Sequence, residues 1–366
     1  MFAIFKEFSL AQQIILKRYN VIFYAESAYY FQYFRHLFEN LIADKNIKIC
    51  YLTADVTDPV LQFEYENLET FHLKATLGFV FSRLQADIMI LTMPDLNNFH
   101  LKRSAGVREY IYVFHAMVSV HQQYRAHAFN HYDTFFCVGL HHVKELAAHE
   151  SRYKLPKKNL IKYGYPLLHQ IFSSSPAEDA ARSKILIAPS WYKEGILSTC
   201  ILAILDNLNG LPYEIWVRPH PEFVKRYSKE FKKLQKLINA TRNFHLDNSP
   251  DVFTHLLDAN YLITDRSGIA FEYYFIKEIP VLFIETPPKI QNPDYIDYAI
   301  DPVENKFRDD LGIRISIKEI PNIPSYLKKL DIKKMKATEK YIADEVLYSK
   351  SHWVNGINYI KEKISL

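Results

Sequence analysis

With 366 residues, 49% of them hydrophobic and 23% charged, the chain is globular rather than disordered and long enough for two domains. A formal net charge of +4 is too small to imply nucleic-acid binding, and 9 glycines against 26 tyrosines and 25 phenylalanines exclude collagen-like, linker-rich or low-complexity character. Cys50, Cys137 and Cys200 lie far apart in apolar stretches, which fits a reducing compartment and supplies neither a disulfide framework nor a metal knuckle.

Met1 to Tyr19 carries Phe2, Ile4, Phe5, Phe8, Leu10, Ile14 and Leu16 among Lys6, Glu7, Gln12 and Lys17, an amphipathic helix that either lies on a membrane or packs on its own domain. Val21–Tyr24 reads as a buried strand and Ser27–Asp44 as a helix. Strands follow at Ile47–Thr53, Ile88–Thr92 and Tyr110–Ala116, with a helical stretch near Thr76–Gln85. Then come a strand at Tyr132–Val138, a helix at His141–Ser151 and the closing stretch Leu160–Pro166. Strands alternating with helices predict a parallel sheet covered on both faces, a doubly wound domain over residues 1–172.

The polar, turn-rich stretch Ser173–Asp179 reads as a linker, and a second α/β series occupies residues 183–330. Its strands are Lys184–Ser190, Tyr213–His220, Phe244–Leu246, Tyr261–Thr264 and Pro280–Ile284. Its helices are Ile196–Asn207, Glu222–Asn239 and Asp251–Leu257. Residues 331–366 read as helices at Ile332–Tyr348 and Trp353–Lys363, one of them crossing back to brace the first domain. Basic runs at Lys225-Arg226, Lys232 to Lys236 and Lys328 to Lys336 admit two readings, solvated helix faces or a weak attraction to an anionic membrane surface. No apolar run approaches the roughly 18 residues that cross a bilayer, and no signal-peptide pattern opens the chain. A cytoplasmic protein is expected, peripheral at most to the inner face of the membrane.

In open α/β sheets the carboxyl ends of the strands face the ligand crevice. Four polar strand ends therefore stand out: His115, Ser190, the pair Arg218 and His220, and the turn Asp265-Arg266-Ser267-Gly268. His115 belongs to the first domain and the rest to the second, which implies two sheets facing a cleft. The Asp265–Gly268 turn leads from strand to helix with Ser267 read as the N-cap. It is either a phosphate seat, with backbone N–H groups and the helix dipole aimed outward, or an ordinary strand-to-helix turn. Arg218 offers a planar, permanently charged donor array for phosphate oxygens, and the prolines flanking His220 fix where its imidazole points. His115 suits a general base at neutral pH, and Met117–Arg125 after it suits an acceptor site. Glu272 either reaches ribose hydroxyls or simply complements the helix dipole. His121, His127 and His131 are expected at the surface, and His141-His142 lacks partners for a metal. Gly-x-Gly-x-x-Gly, Walker, Gly-x-Ser-x-Gly and His-Glu-x-x-His motifs are all missing, so dehydrogenase, NTPase, hydrolase and zinc-protease readings fall.

Arg218-Pro219-His220-Pro221, the run Asn260 to Tyr273 and Ile279 to Phe283, with His115 and Gly164-Tyr165-Pro166 upstream, resemble the CDP-glycerol glycerophosphotransferase family of teichoic-acid and capsule synthesis. The resemblance implies a GT-B-like α/β fold, two doubly wound Rossmann-type domains facing across a cleft. It implies a transferase that moves glycerol phosphate, or a similar alditol phosphate, from a CDP-activated donor to a hydroxyl of a glycan or lipid-linked acceptor, with no cofactor and no metal. By the same resemblance His115 is the base, while His220, Arg218 and the Ser267 turn hold the donor pyrophosphate; the expected site is therefore His115 and His220 as catalytic residues, with Arg218, Ser190, Asp265, Arg266, Ser267, Gly268 and Glu272 on the donor side. Ala116, Arg266, Gly268 and Glu272 depart from the family pattern, and Arg266 beside the seat adds positive charge. Two other readings stand beside it: a GT-B glycosyltransferase using a nucleotide sugar, and an inactive nucleotide-binding subunit of an envelope-polymer complex.

Overall fold

The computed structural model describes residues 2–168, 183–249, 253–330 and 339–365. The chain divides into two compact units, residues 1–167 with 291–299 and 343–366, and residues 168–290 with 300–342.

The first unit is built on seven parallel strands, β1 Arg18–Ala25, β2 Ile49–Thr53, β3 Leu68–His72, β4 Gln85–Leu91, β5 Val107–Val113, β6 Thr134–Cys137 and β7 Asn159–Lys162. They lie in the order β3-β2-β1-β4-β5-β6-β7, so the chain runs outward from β1 to one edge and returns at β4 to build the other. Val21–Ala25 and Ile49–Thr53 are buried throughout, because helices cover both faces of the sheet and a central strand has no solvent side. The helix Phe31–Ile42 lays Phe34, Leu37, Phe38 and Leu41 onto the core formed by Val21, Phe23, Ile88 and Ile111.

The helix Phe2–Ile15 buries Ala11 and Ile14, and Glu7 accepts hydrogen bonds from the backbone and hydroxyl of Thr76. Of its two possible fates the chain takes packing on its own domain. The last helix, Trp353–Ile364, buries Ile360 and packs Trp353, Ile357 and Tyr359 against the same core. Its approach is held by Gly139: a Cβ there would stand 2.3 Å from the carbonyl of Val346, so only glycine admits the returning backbone.

The second unit carries β8 Ser183–Ile187, β9 Tyr213–Val217, β10 Phe244–Leu246, β11 Tyr261–Thr264, β12 Val281–Glu285 and β13 Gly312–Ser316. Their order β10-β9-β8-β11-β12-β13 repeats the winding of the first sheet, all parallel, with the reversal between β8 and β11. Both units therefore have the doubly wound arrangement whose crevice opens at the carboxyl ends of the strands flanking the reversal.

Several expectations are corrected. The edge strands β3 and β13 add to the strands that the sequence pattern predicts. Ile196–Asn207 is two helices, Ile196–Thr199 and Ile201–Leu208, parted at Cys200, whose φ of −139° is not helical. Glu222–Asn239 likewise divides into Pro221–Arg226 and Ser228–Ala240 at Tyr227, with φ −117°. The segment 291–299 belongs to the first unit, where the Asn292 amide donates to the His121 carbonyl at 2.9 Å. The expected linker Ser173–Asp179, the start of the Asp251–Leu257 helix and residues 332–338 of the penultimate helix lie outside the described residues.

Candidate functional site

The reversal point of the second sheet brings Ser190 and Asp265 together. Both follow strands that pair in parallel, and the backbone N–H of Ser190 donates to Asp265 Oδ1 at 2.8 Å. Burial pushes the Asp265 carboxyl up, and hydrogen bonds from the backbones of Ser190, Arg266 and Ile196 offset part of that rise. Asp265 is completely enclosed, so it ties the turn to the end of β8 rather than meeting a ligand.

Beyond it the helix Ile269–Lys277 begins. The helix is capped at Gly268, one residue after the expected Ser267, a shift within the one or two residues by which helix starts vary. No side chain caps this N-terminus, which keeps the helix start available to an anion. Glu272 is buried in the first turn, where its charge faces the positive end of the helix dipole.

Arg218 and His220 stand just past β9. The Arg218 backbone N–H bonds the Ile187 carbonyl at 2.9 Å, which sets this strand end beside that of β8. Its guanidinium is engaged, however, donating to buried Asp247 at 2.7 Å and to the Ser249 carbonyl at 3.2 Å. His220 caps the helix Pro221–Arg226: the Glu222 N–H donates to its Nδ1 at 3.1 Å. An imidazole nitrogen that accepts carries no hydrogen, so Nε2 of neutral His220 is the donor. The ring lies 6.0 Å from that of Trp191, next to Ser190.

Arg266 turns toward β12. It donates to Asn305 and lies 3.5 Å from Glu285 Oε2, a carboxylate that also meets Arg308 at 2.9 Å and Arg314. Burial raises the Glu285 carboxyl, yet the arginines outweigh that and hold it below the ordinary range. The side chains that organise this edge and that the strand-end argument missed are Trp191, Tyr192, Asp247, Glu285 and Lys289. Lys289 carried a usable signal, since it follows a strand and lies at the carboxyl edge.

In the first unit His115 lies two residues beyond β5 and half-buried, with Nδ1 3.1 Å from the Thr92 carbonyl at the end of β4. A carbonyl only accepts, so Nδ1 carries the hydrogen and Nε2 holds the lone pair. The rings of Tyr30, Tyr33 and Tyr124 surround it at 5.7, 5.9 and 6.3 Å. His115 and His220 therefore take opposite tautomers, one presenting an acceptor at Nε2 and the other a donor.

His121 is not at the surface. Its Nδ1 lies 3.1 Å from Glu145 Oε2 with both side chains enclosed, because the helix Val120–Gln123 packs inward against Leu140–Tyr153. His141 and His142 are also buried and bond the carbonyls of Glu345 and Val118 at 3.1 and 3.0 Å. No helix among the described residues is long and apolar enough to cross a membrane.

A family model described as CDP-Glycerol:Poly(glycerophosphate) glycerophosphotransferase matches residues 4–287. Among solved structures, the wall teichoic acid polymerase TagF aligns with TM-score 0.54 at 13% identity, covering 98% of this chain and 93% of that one. The S. aureus MnaA–UDP structure aligns at 0.54 with 12% identity over 96% and 98% of the chains. A UDP-N-acetylglucosamine 2-epimerase from Listeria monocytogenes aligns at 0.51 with 11% identity over 93% and 95%. These likenesses show the fold, an α/β architecture of the GT-B kind. No curated protein sequence matches significantly.

Proposed function

Because the chain belongs to the CDP-glycerol:poly(glycerophosphate) glycerophosphotransferase family, we propose that it transfers glycerol phosphate from CDP-glycerol to a hydroxyl of a cell-envelope glycan or lipid-linked acceptor. The observation that carries this is the family match itself, which spans His115, Arg218, His220 and the Asp265–Glu272 turn.

The acceptor oxygen attacks the β-phosphorus of CDP-glycerol, the bond from that phosphorus to the bridging oxygen breaks, and CMP leaves. His115 takes the acceptor proton at Nε2, oriented by the Nδ1–H bond to Thr92. His220 donates from Nε2 to the departing phosphate, and the helix start at Gly268 adds partial positive charge. Arg218 holds Asp247 and the strand end in place through two of its five N–H donors.

The basic face of the helix Ser228–Ala240, with Lys232, Lys233 and Lys236 exposed, suits a peripheral seat on an anionic membrane where a lipid-linked acceptor resides. The test of the reaction is nucleotide release. With CDP-glycerol and a teichoic-acid-type primer the protein liberates CMP and the primer gains phosphodiester-linked glycerol. Turnover of UDP-sugars with CDP-glycerol left intact would replace this reading by a glycosyltransferase.

A further inference from the structure

We propose that Lys289 is a donor-binding residue whose ammonium takes the diphosphate of the nucleotide at the edge formed by Ser190, Trp191 and the Asp265–Gly268 turn; this rests on the transferase reading above.

The segment Glu285–Lys289 leaves β12 alongside the turn that leaves β11, since Thr264 and Phe283 are paired neighbours. It is fastened there from the β8 side. The Tyr192 hydroxyl donates to the Pro287 carbonyl at 2.7 Å and lies 2.6 Å from the Thr286 hydroxyl. Pro287 and Pro288 restrict the backbone that follows, so Lys289 is delivered to a fixed place. Its Nζ lies 4.3 Å from the centroid of Trp191, the residue after Ser190, and the same indole is approached by Arg226 at 4.9 Å and by the His220 ring at 6.0 Å. Lys289 thus shares an aromatic neighbour with the histidine that faces the leaving group.

Among the described residues no hydrogen bond or ion pair occupies the Lys289 ammonium, although it has three N–H donors. The contact with Trp191 is a cation–π interaction, which uses the charge and leaves the hydrogen bonds unmade. Non-bridging phosphate oxygens supply what is missing.

The charged groups that face it are Asp265 on the turn after β11, Glu304 on the helix Val303–Lys306, and Glu222 and Arg226 on the helix Pro221–Arg226. Burial lowers the ammonium to about 8 despite the three carboxylates. The free protein therefore loses this positive charge as pH rises through that value, and a bound diphosphate favours the charged form. Affinity for the nucleotide falls over the same interval.

Calorimetric titration of the full chain with CDP and with CDP-glycerol at pH 7 and pH 9.5 tests this. Wild type is expected to bind CDP at least fivefold more weakly at pH 9.5. Lys289→Arg keeps the pH 7 affinity within about threefold and removes the decline, while Lys289→Met weakens binding at least tenfold at pH 7. A Lys289→Met protein that binds CDP like wild type, or an undiminished decline in Lys289→Arg, overturns the proposal. Wild type that binds CDP in this manner but not CDP-glycerol upholds Lys289 and refutes the donor assigned above.

Discussion

Glu285→Gln removes the one carboxylate that Arg266, Arg308 and Arg314 share. Arg308 is the critical partner, because it is 2% exposed, its guanidinium stacks at 4.9 Å on Phe283, and among the described residues Glu285 is the carboxylate that balances its charge. Removing one member of a buried pair costs about 3–5 kcal/mol, because the remaining charge stays desolvated. The Glu285 side chain is 26% exposed and water partly screens the pair, so the lower end, about 3 kcal/mol, is expected. For a unit of this size that corresponds to a fall of roughly 6–12 °C in the Tm of its transition. Differential scanning calorimetry reads the shift. Arg308→Met in the same background should recover more than half of it, since the stranded charge is then gone. A Glu285→Gln protein melting within 2 °C of wild type would refute the claim that Arg308 is held by this carboxylate.

Two further outcomes follow from the same kind of accounting. Burial lowers His149 to about 4, where it sits between the Tyr298 hydroxyl and the Asn130 amide oxygen at 2.8 Å each. The unfolded chain binds this proton near pH 6.5 and the native state only near 4, so stability contributed above pH 6.5 is lost as pH falls through that window, by up to about 3 kcal/mol. Urea midpoints between pH 7 and 4 should decline, and less steeply in His149→Gln; identical slopes would contradict the assignment. Replacing Lys232, Lys233 and Lys236 together by Gln should weaken co-sedimentation with phosphatidylserine vesicles roughly a hundredfold, at about 1 kcal/mol for each lysine. Unchanged partitioning would remove this helix from any membrane contact.

The sequence announces continuous apolar strands and hides half-exposed ones. Tyr261–Thr264 is legible to the residue, since burial on both faces demands an unbroken apolar run. Leu68–His72 and Gly312–Ser316 escape notice because an edge strand admits Glu69 and Arg314 toward solvent. The strand ends that carry His115, Ser190, His220 and Asp265 follow from the rule that parallel sheets bind at their carboxyl edge. What each side chain does there is not local information. Arg218 reads as a phosphate ligand until Asp247, distant in sequence, is seen to accept from it. His121 reads as exposed until Glu145 encloses it, and no spacing announces that a single carboxylate at 285 gathers arginines from 266, 308 and 314.

The central claim is that His115 removes the acceptor proton during transfer from CDP-glycerol. Single-turnover measurement of CMP release with primer present, run beside titration of CDP-glycerol binding, separates that step from donor capture. His115→Ala is expected to slow release by about 10²–10⁴-fold with donor affinity unchanged within threefold. Release at the wild-type rate, or a loss accounted for entirely by weaker donor binding, would contradict it.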